Sequence, residues 1–339
     1  MVNALHEART LRFDTVQVFT KNQRQWKVPA LKDEEREAWI AEVARLGWQG
    51  RPVAHNGYLV NLASPDDDLW EKSIALQREE IERCERLSIP FLVSHPGSHV
   101  GSGIEAGIAR IAAACARLFR DTRGYRTMIC LENTVGGGGS IGRTFEELAR
   151  LRRRIEDAAG AAADQRIGYC IDTCHALAAG YDLSAYETPP QSPNGGAGEA
   201  PNAAKRRGSG AHHDKQSPAP RKRTRAEGEA AARAVLDELD SICGLANVRV
   251  WHLNDSKAPR GSRLDRHEHI GHGHVAIGAF AAIVNHPAFR SVPKILETPK
   301  EENEKGVPWD RVNLRRLKSL MSNRASRPAT GASRPRARS

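Results

Sequence analysis

Short apolar runs alternate with longer amphipathic segments along most of the chain. The short runs have the length of buried strands, and the longer segments repeat apolar residues at helical spacing. The predicted strands cover residues 15–19, 52–54, 90–94, 127–131, 167–171, 248–252 and 294–296. The predicted helices cover 3–12, 33–46, 65–87, 104–118, 229–243, 277–284 and 309–321. A further helix is predicted to begin near Thr144, which would form a capping box with Glu147. Strands that alternate with helices predict βαβ units and a parallel sheet.

Polar donor side chains stand where these predicted strands end. Six of the seven strands end in a histidine or a carboxylate, namely His55, His95, Glu132, Asp172, His252 and Glu297. One such residue would most often be an ordinary hydrogen-bonded group. Their recurrence predicts that they meet at one mouth, because the carboxyl ends of barrel strands share one rim. We therefore predict an α/β fold, a TIM (β/α)8-type barrel with seven identifiable strands and a site at that rim.

Three further donors follow two of these strands. They are His175, Asp265 and His267. Five imidazoles and four carboxylates suit Zn²⁺ first and Mn²⁺ or Fe²⁺ next. Nine ligands are too many for one ion but can hold three if one carboxylate bridges, and clustered cations favour phosphodiester hydrolysis. Cys170 and Cys174 could be soft ligands, although packed thiols are the favoured interpretation.

The net charge of +10 is concentrated in two segments. Residues 188–228 carry a net +5 and residues 323–339 another +5, so the remaining chain is neutral and a basic surface is not the evidence for DNA binding. We predict that 1–187 forms the first part of the barrel and 229–322 the rest. Both basic segments lack apolar periodicity, which predicts a disordered insertion over 188–228 and a disordered tail over 323–339.

Targeting and compartment are indicated by short patterns. The clusters 205–207 and 221–225 resemble a bipartite nuclear import signal, which predicts a nucleus-located protein with an import receptor as partner. A polyanion-binding arm, a solvated run and a mitochondrial location remain alternatives. Six scattered cysteines predict no disulfide framework and a reducing compartment. We expect no membrane association, since no bilayer-length apolar run and no signal peptide is present.

Several motifs resemble those of the endonuclease IV family, the zinc-dependent apurinic/apyrimidinic (AP) endonucleases of base-excision repair. These motifs are FTKNQRQW (19–26), HNGYLVNLASP (55–65), HPGSH (95–99), LENT (131–134), IDTCHALAAGYD (171–182), HLND (252–255), GSRLDRHEHIG (261–271) and ILET (295–298). The resemblance covers residues 3–322 apart from the insertion. It implies a TIM barrel that holds three zinc ions, with Mn²⁺ as an alternative at one or more positions.

The resemblance also implies a role for each donor. The first zinc would be held by His55, His95 and Glu132, the second by Glu132, Asp172, His252 and Glu297, and the third by His175, Asp265 and His267. Glu132 and Glu297 would be catalytic. Arg24, Tyr58 and Leu59 would enter the DNA where the abasic sugar is flipped out. A monomer would then cleave 5′ to abasic sites in double-stranded DNA, leaving a 3′-hydroxyl and a 5′-deoxyribose phosphate, with 3′-diesterase activity in addition.

Two features depart from the family pattern. The chain starts within the first helix, so we expect that the first barrel strand is absent and that the sequence is truncated or a fragment. The basic segments suggest a eukaryotic, fungal-type member. Two other functions stay open: a sugar isomerase or epimerase on a related barrel, which would need one or two metals, and a truncated remnant that binds damaged DNA without cleaving it.

Overall fold

The computed structural model describes residues 1–187 and 220–322, and seven parallel strands form its central sheet. The strands lie in the order β1-β2-β3-β4-β5-β6-β9, and β7 and β8 form a separate antiparallel pair. The strands are β1 (Gln17–Val18), β2 (Val53–His55), β3 (Phe91–Ser94), β4 (Met128–Glu132), β5 (Ile167–Asp172), β6 (Val248–His252), β7 (Asp255–Ser256), β8 (His267–Glu268) and β9 (Lys294–Ile295). Every neighbour pair in the large sheet is parallel, and the predicted TIM-barrel fold is confirmed.

Helices connect the strands and cover the outside of the sheet. They are α1 (Val2–Thr10), α2 (Asp33–Leu46), α3 (Asp67–Arg86), α4 (Ile104–Asp121), α5 (Phe145–Ala159), α6 (Thr173–Ala179), α7 (Arg225–Cys243), α8 (Ile277–Asn285) and α9 (Trp309–Leu320). The apolar pattern did not predict α6 or the β7–β8 pair. Both are too short for a clear period, and both lie in segments that also carry donor side chains.

The barrel interior and the site are built from alternate residues of the same strands. An inner cluster contains Val53, Val93, Met128, Cys130, Cys170, Val250 and Ile295, with Phe91 packed against it. Side chains two residues apart point to the same face of a strand. The donor at each strand end therefore lies directly above an inner-cluster residue, as His55 lies above Val53 and His252 above Val250. The register keeps these ends level, since Asp172 pairs with His252.

The predicted capping box at the start of α5 is half right. The Thr144 hydroxyl accepts from the Glu147 backbone N–H at 3.2 Å, as predicted. The Glu147 carboxylate does not reach back to Thr144; it accepts from the N–H groups of Gly142 and Arg143, each at 3.0 Å. This carboxylate therefore fixes the loop that precedes the helix.

The predicted insertion is wrong for residues 220–228. Helix α7 begins at Arg225, not 229, and a complete capping box joins Thr224 and Glu227. The Arg221 guanidinium bonds to Glu187 and Glu227, and Arg223 bonds to Asp182 at 2.7 and 2.8 Å. This start was missed because basic residues dominate the segment. The predicted disorder of 188–219 and 323–339, and the basic cluster 205–207, lie outside the described residues.

The two end strands of the sheet, β1 and β9, do not pair with each other as strands in the described ranges. The expectation that a barrel strand is missing stays a prediction. All six cysteines are buried, and their thiols are free. Among the described helices, none combines the length and apolarity needed to cross a bilayer.

Candidate metal centre

Glu132 stands at the centre of the barrel mouth, at the end of β4. One of its carboxylate oxygens, Oε2, lies 3.1 Å from His55 Nε2 and 3.4 Å from His95 Nε2. The Glu132 residue is 1% exposed, so almost no solvent separates it from these rings. His55 is the last residue of β2 and His95 directly follows the adjacent strand β3, and the three donor atoms lie close enough to hold one ion.

The other Glu132 oxygen, Oε1, belongs to a second group. It lies 2.9 Å from Nδ1 of His252, which is itself 3.0 Å from Glu297 Oε2 and 3.9 Å from Asp172 Oδ2. These four residues offer donor atoms within 4.8 Å of one another. Because Glu132 contributes to both groups, it is placed as a bridging ligand would be.

The third group lies beside the second and is carried by α6, by β8 and by the loop that joins β7 to β8. Asp265 Oδ1 lies 3.2 Å from Nε2 of His175 and 3.2 Å from Nε2 of His267. Asp172 links the groups, since its carboxylate caps α6 by accepting from the His175 N–H and lies 3.6 Å from His267 Nε2. The structure thus brings all nine predicted donors together, in the grouping that the resemblance implied.

Three of the imidazoles are oriented by backbone carbonyls. Nδ1 of His55 is 2.8 Å from the Asn56 carbonyl oxygen, Nδ1 of His175 is 3.0 Å from that of Asn133, and Nδ1 of His267 is 3.1 Å from that of Glu297. A ring that donates through Nδ1 directs the lone pair of Nε2 toward the cluster, which is the usual arrangement around a metal-binding histidine.

The third group shows that these residues fit a cation. Nε2 of His175 and Nε2 of His267 are buried, and neither makes a hydrogen bond although Asp265 Oδ1 is only 3.2 Å away. Buried polar atoms of this kind are rare. Donor atoms that converge on a common point without bonding one another are what a shared metal ion requires.

The electrostatics of the site are dominated by carboxylate–imidazole pairs. Burial by itself would lower the pKa of His175, but Asp172 and Asp265 raise it to about 10. Burial would also lower the pKa of His267, but Asp172 and Asp265 raise it to about 9. Burial would raise the pKa of Asp265, but the two neighbouring imidazoles hold it well below its usual range. In the absence of metal, protons on these rings therefore stand in for positive ions.

Several residues that support the site were not predicted as functional. Asn254 donates to Asp172 Oδ2 at 2.6 Å and accepts from the Glu297 backbone N–H at 2.7 Å. Asp255 accepts from four backbone N–H groups and so shapes the loop that carries Asp265 and His267; these donors belong to Ser256, Gly271, Gly273 and Val275. The sequence signal that could have predicted their role is the Asn254-Asp255 pair, which stands close after a strand that ends in a donor, His252.

The two thiols are less suited than the nine donors to bind an ion. Cys170 is near Glu132 and His252, and Cys174 is near Asp172 and His267. Burial, the largest influence in both cases, raises the pKa of Cys170 to about 12 and that of Cys174 further still. A thiol must lose its proton to bind a metal, so packing remains the favoured role.

The three predicted DNA-contacting residues lie on the two loops that follow β1 and β2. Arg24 is exposed, Tyr58 is 62% exposed, and Leu59 is half-buried. The Tyr58 ring lies 6.3 Å from the His55 ring, so these loops stand beside the donor cluster. The Tyr58 N–H also donates to the Gln23 carbonyl at 3.2 Å, which ties the two loops together.

The chain is similar to known proteins over most of its length. A family model described as a xylose isomerase-like TIM barrel matches residues 5–320. "Probable endonuclease 4" of Chloroflexus aurantiacus (strain J-10-fl) is 41% identical over 308 residues, covering 91% of this chain and 90% of that protein. "Probable endonuclease 4" of Geobacter sulfurreducens is 38% identical over 319 residues, covering 93% and 88%.

Solved structures agree with this similarity. Endonuclease IV from Thermus thermophilus superposes with a TM-score of 0.68 at 31% identity, covering 94% of this chain and 93% of that one. A D-tagatose 3-epimerase-like protein has a TM-score of 0.59 at 15% identity, covering 94% and 92%, which indicates a shared fold alone.

A parallel barrel with clustered metal-type donors at its mouth defines the class, the xylose isomerase-like TIM barrels. Within that class, the chain belongs to the endonuclease IV family. The expected fungal-type origin stays a prediction, since the relatives named above come from Chloroflexus, Geobacter and Thermus.

Proposed function

We propose that this protein is a metal-dependent AP endonuclease that hydrolyses the phosphodiester 5′ to abasic sites in double-stranded DNA. The observation that supports this most directly is the sharing of Glu132 between two donor groups, with a third group beside them. An isomerase that uses one or two metals has no need of the group formed by His175, Asp265 and His267. The names of the family relatives point to the same activity.

In this proposal the nine donors hold three cations, zinc first, with manganese as an alternative. When bound, these cations would lower the pKa of the attacking water and neutralise charge on the phosphate and the leaving oxygen. Glu132 would hold its two oxygens toward two different groups, and Glu297 would complete the second. Both carboxylates suit this role because they are ionised. Burial would raise the pKa of each, but His95 and His252 hold the pKa of Glu132 well below its usual range, and His252 lowers that of Glu297 to about 2.

The two loops that follow β1 and β2, here called the rim loops, would select the substrate. Arg24, Tyr58 and Leu59 would occupy the gap left when the abasic sugar turns out of the helix toward the cluster. Flipping is least costly where no base stacks, which by itself favours abasic sites. The products would carry a 3′-hydroxyl and a 5′-deoxyribose phosphate, and blocking groups at 3′ ends would be further substrates. A monomeric state and a nuclear location, read from the basic clusters, stay predictions.

The deciding experiment incubates the purified chain with a duplex that contains one abasic analogue, and measures metal content on the same sample. We expect a nick 5′ of the lesion and about three metal equivalents, following the donor count. Glu132→Gln should abolish the nick, because a neutral amide cannot bridge two cations. Glu34→Gln, an exposed glutamate on α2, is the matched control and should cleave normally.

The same experiment separates the alternatives. A retarded but uncut duplex would indicate a remnant that binds damaged DNA without cleaving it. One or two metal equivalents with no effect on DNA would favour an isomerase or epimerase. Either outcome would reject the proposed endonuclease.

A further inference from the structure

Gln17 reaches from the first strand of the sheet into the donor cluster. Its Oε1 lies 2.8 Å from His252 Nε2, and its Nε2 donates to Glu297 Oε1 at 2.7 Å. In the described ranges β1 and β9 share no strand pairing. This side chain therefore connects the two ends of the sheet at the level of the site. In the sequence, Gln17 is 235 residues from His252 and 280 residues from Glu297.

The two contacts allow one orientation of the amide and one tautomer of the ring. An amide oxygen only accepts and an amide nitrogen only donates, so His252 must carry a hydrogen on Nε2. Turning the amide over would place its oxygen against the carboxylate oxygen of Glu297. The Glu297 contact would then be lost, and the amide nitrogen would face a ring nitrogen that carries a hydrogen.

His252 is held differently from the other oriented rings of the cluster. His55, His175 and His267 place Nδ1 against backbone carbonyls and direct Nε2 inward. His252 directs Nδ1 inward, 2.9 Å from Glu132 Oε1, and its outer nitrogen meets the side chain of Gln17. A side-chain partner can be removed by substitution, whereas a backbone carbonyl cannot.

We propose that Gln17 is a positioning residue for the second metal-binding group. It selects which nitrogen of His252 and which oxygen of Glu297 face that group. Gln17 bonds to His252 Nε2 and to Glu297 Oε1. The other two donor atoms, His252 Nδ1 and Glu297 Oε2, are 3.0 Å apart and point inward. This inference rests on the proposed function, since it takes the second group to hold a cation. Residues that orient metal ligands in this way typically change affinity about 10–100-fold when replaced.

The test compares Gln17→Met with the unaltered chain in metal binding. Methionine has a similar length but can make neither hydrogen bond. Zn²⁺ affinity is measured by competition with a chelator, and the Co²⁺-substituted protein is examined by visible absorption. We expect one ion to lose about 10–100-fold in affinity and its absorption bands to shift, while the other ions are retained. Gln49→Met, an exposed glutamine between α2 and β2, is the control and should leave both readouts unchanged.

Gln17→Glu provides a second arm. The new carboxylate can still accept from His252 but repels Glu297, so we expect the same ion to be weakened. It also replaces Gln17→Met should that variant fail to fold. Folded Gln17 variants that bind every ion as the unaltered chain does would overturn this proposal alone. An unaltered chain that binds no cation would overturn the proposed function itself, and this inference with it.

Discussion

Tyr58 shows at the scale of one residue how the site is prepared for a large ligand. Its side chain is 62% exposed, yet its ring lies edge-on to Phe19 with 5.7 Å between centroids. The His55 ring lies 6.3 Å from the Tyr58 ring and 5.7 Å from the Phe19 ring, so the three rings form one cluster. An aromatic ring that is held in place but left open to solvent is suited to stacking on a nucleic acid base.

We therefore expect Tyr58→Ala to weaken binding to an abasic duplex by about 1–3 kcal/mol, the usual worth of one stacked base. The measurement is fluorescence anisotropy with an uncleavable abasic analogue. Tyr125→Ala, which removes a 36% exposed tyrosine from the loop between α4 and β4, is the matched control. An unchanged affinity for the damaged duplex would contradict a role for Tyr58 in engaging the lesion.

At the scale of an element, helix α3 holds the two rim loops together through one buried carboxylate. The Glu80 carboxylate accepts from the Thr20 hydroxyl at 2.6 Å and from the Gly57 N–H at 3.2 Å. It also pairs with the Lys21 ammonium at 3.1 Å, with 2% of the lysine side chain and 1% of the glutamate side chain exposed. A Cβ at Gly57 would lie 2.9 Å from Lys21 Nζ, so a larger residue there would push the ammonium from its place beside Glu80.

Removing Glu80 should be strongly destabilising. Glu80→Ala leaves Lys21 buried without its counter-charge, which typically costs about 3–5 kcal/mol. The measurement is unfolding by urea with the metals removed from every sample. Glu79→Ala changes a glutamate on the same helix whose side chain is 37% exposed, and it should cost less than about 1 kcal/mol. Equal losses from the two variants would show that the buried pair adds nothing.

The stability of the whole molecule is linked to the cluster, because its donors lie at or after the ends of six of the seven strands in the central sheet. Ions that bind only the folded chain stabilise it by mass action. Without them, the raised pKa values of His175 and His267 contribute stability below the ordinary pKa of 6.5, and this contribution is lost as the pH rises through about 9 to 10. Metal ions bind the unprotonated rings, so they compete better as the pH rises.

The difference in Tm between metal-loaded and chelator-treated protein should therefore widen from about pH 6 to about pH 8.5. Calorimetry on the two forms across this range is the measurement. In His267→Asn one of the two titrating rings is gone, so the widening should be smaller. A difference that stays constant with pH would mean that these protons and the cations do not compete.

Much of this arrangement is predictable from the sequence because strand geometry is periodic. A donor two residues after an apolar position, as in Val53 with His55 or Cys130 with Glu132, lies on the same face of its strand as that residue. The six strand-end donors and the barrel follow from that repetition. The start of α7 was missed although its capping box, Thr224 with Glu227, is local in sequence. The basic residues before it gave no apolar pattern, and they are held by Glu187 and Asp182, which are distant in sequence.

Local pattern is enough to predict the strands and the set of nine donor side chains at and after their ends, since these depend on periodicity and on chain direction. Which atoms of those side chains meet depends instead on how the whole chain packs. Asp172 Oδ2 lies 3.6 Å from His267 Nε2, and Gln17 Oε1 lies 2.8 Å from His252 Nε2. Such contacts depend on distances between residues far apart in the chain, which no local pattern encodes.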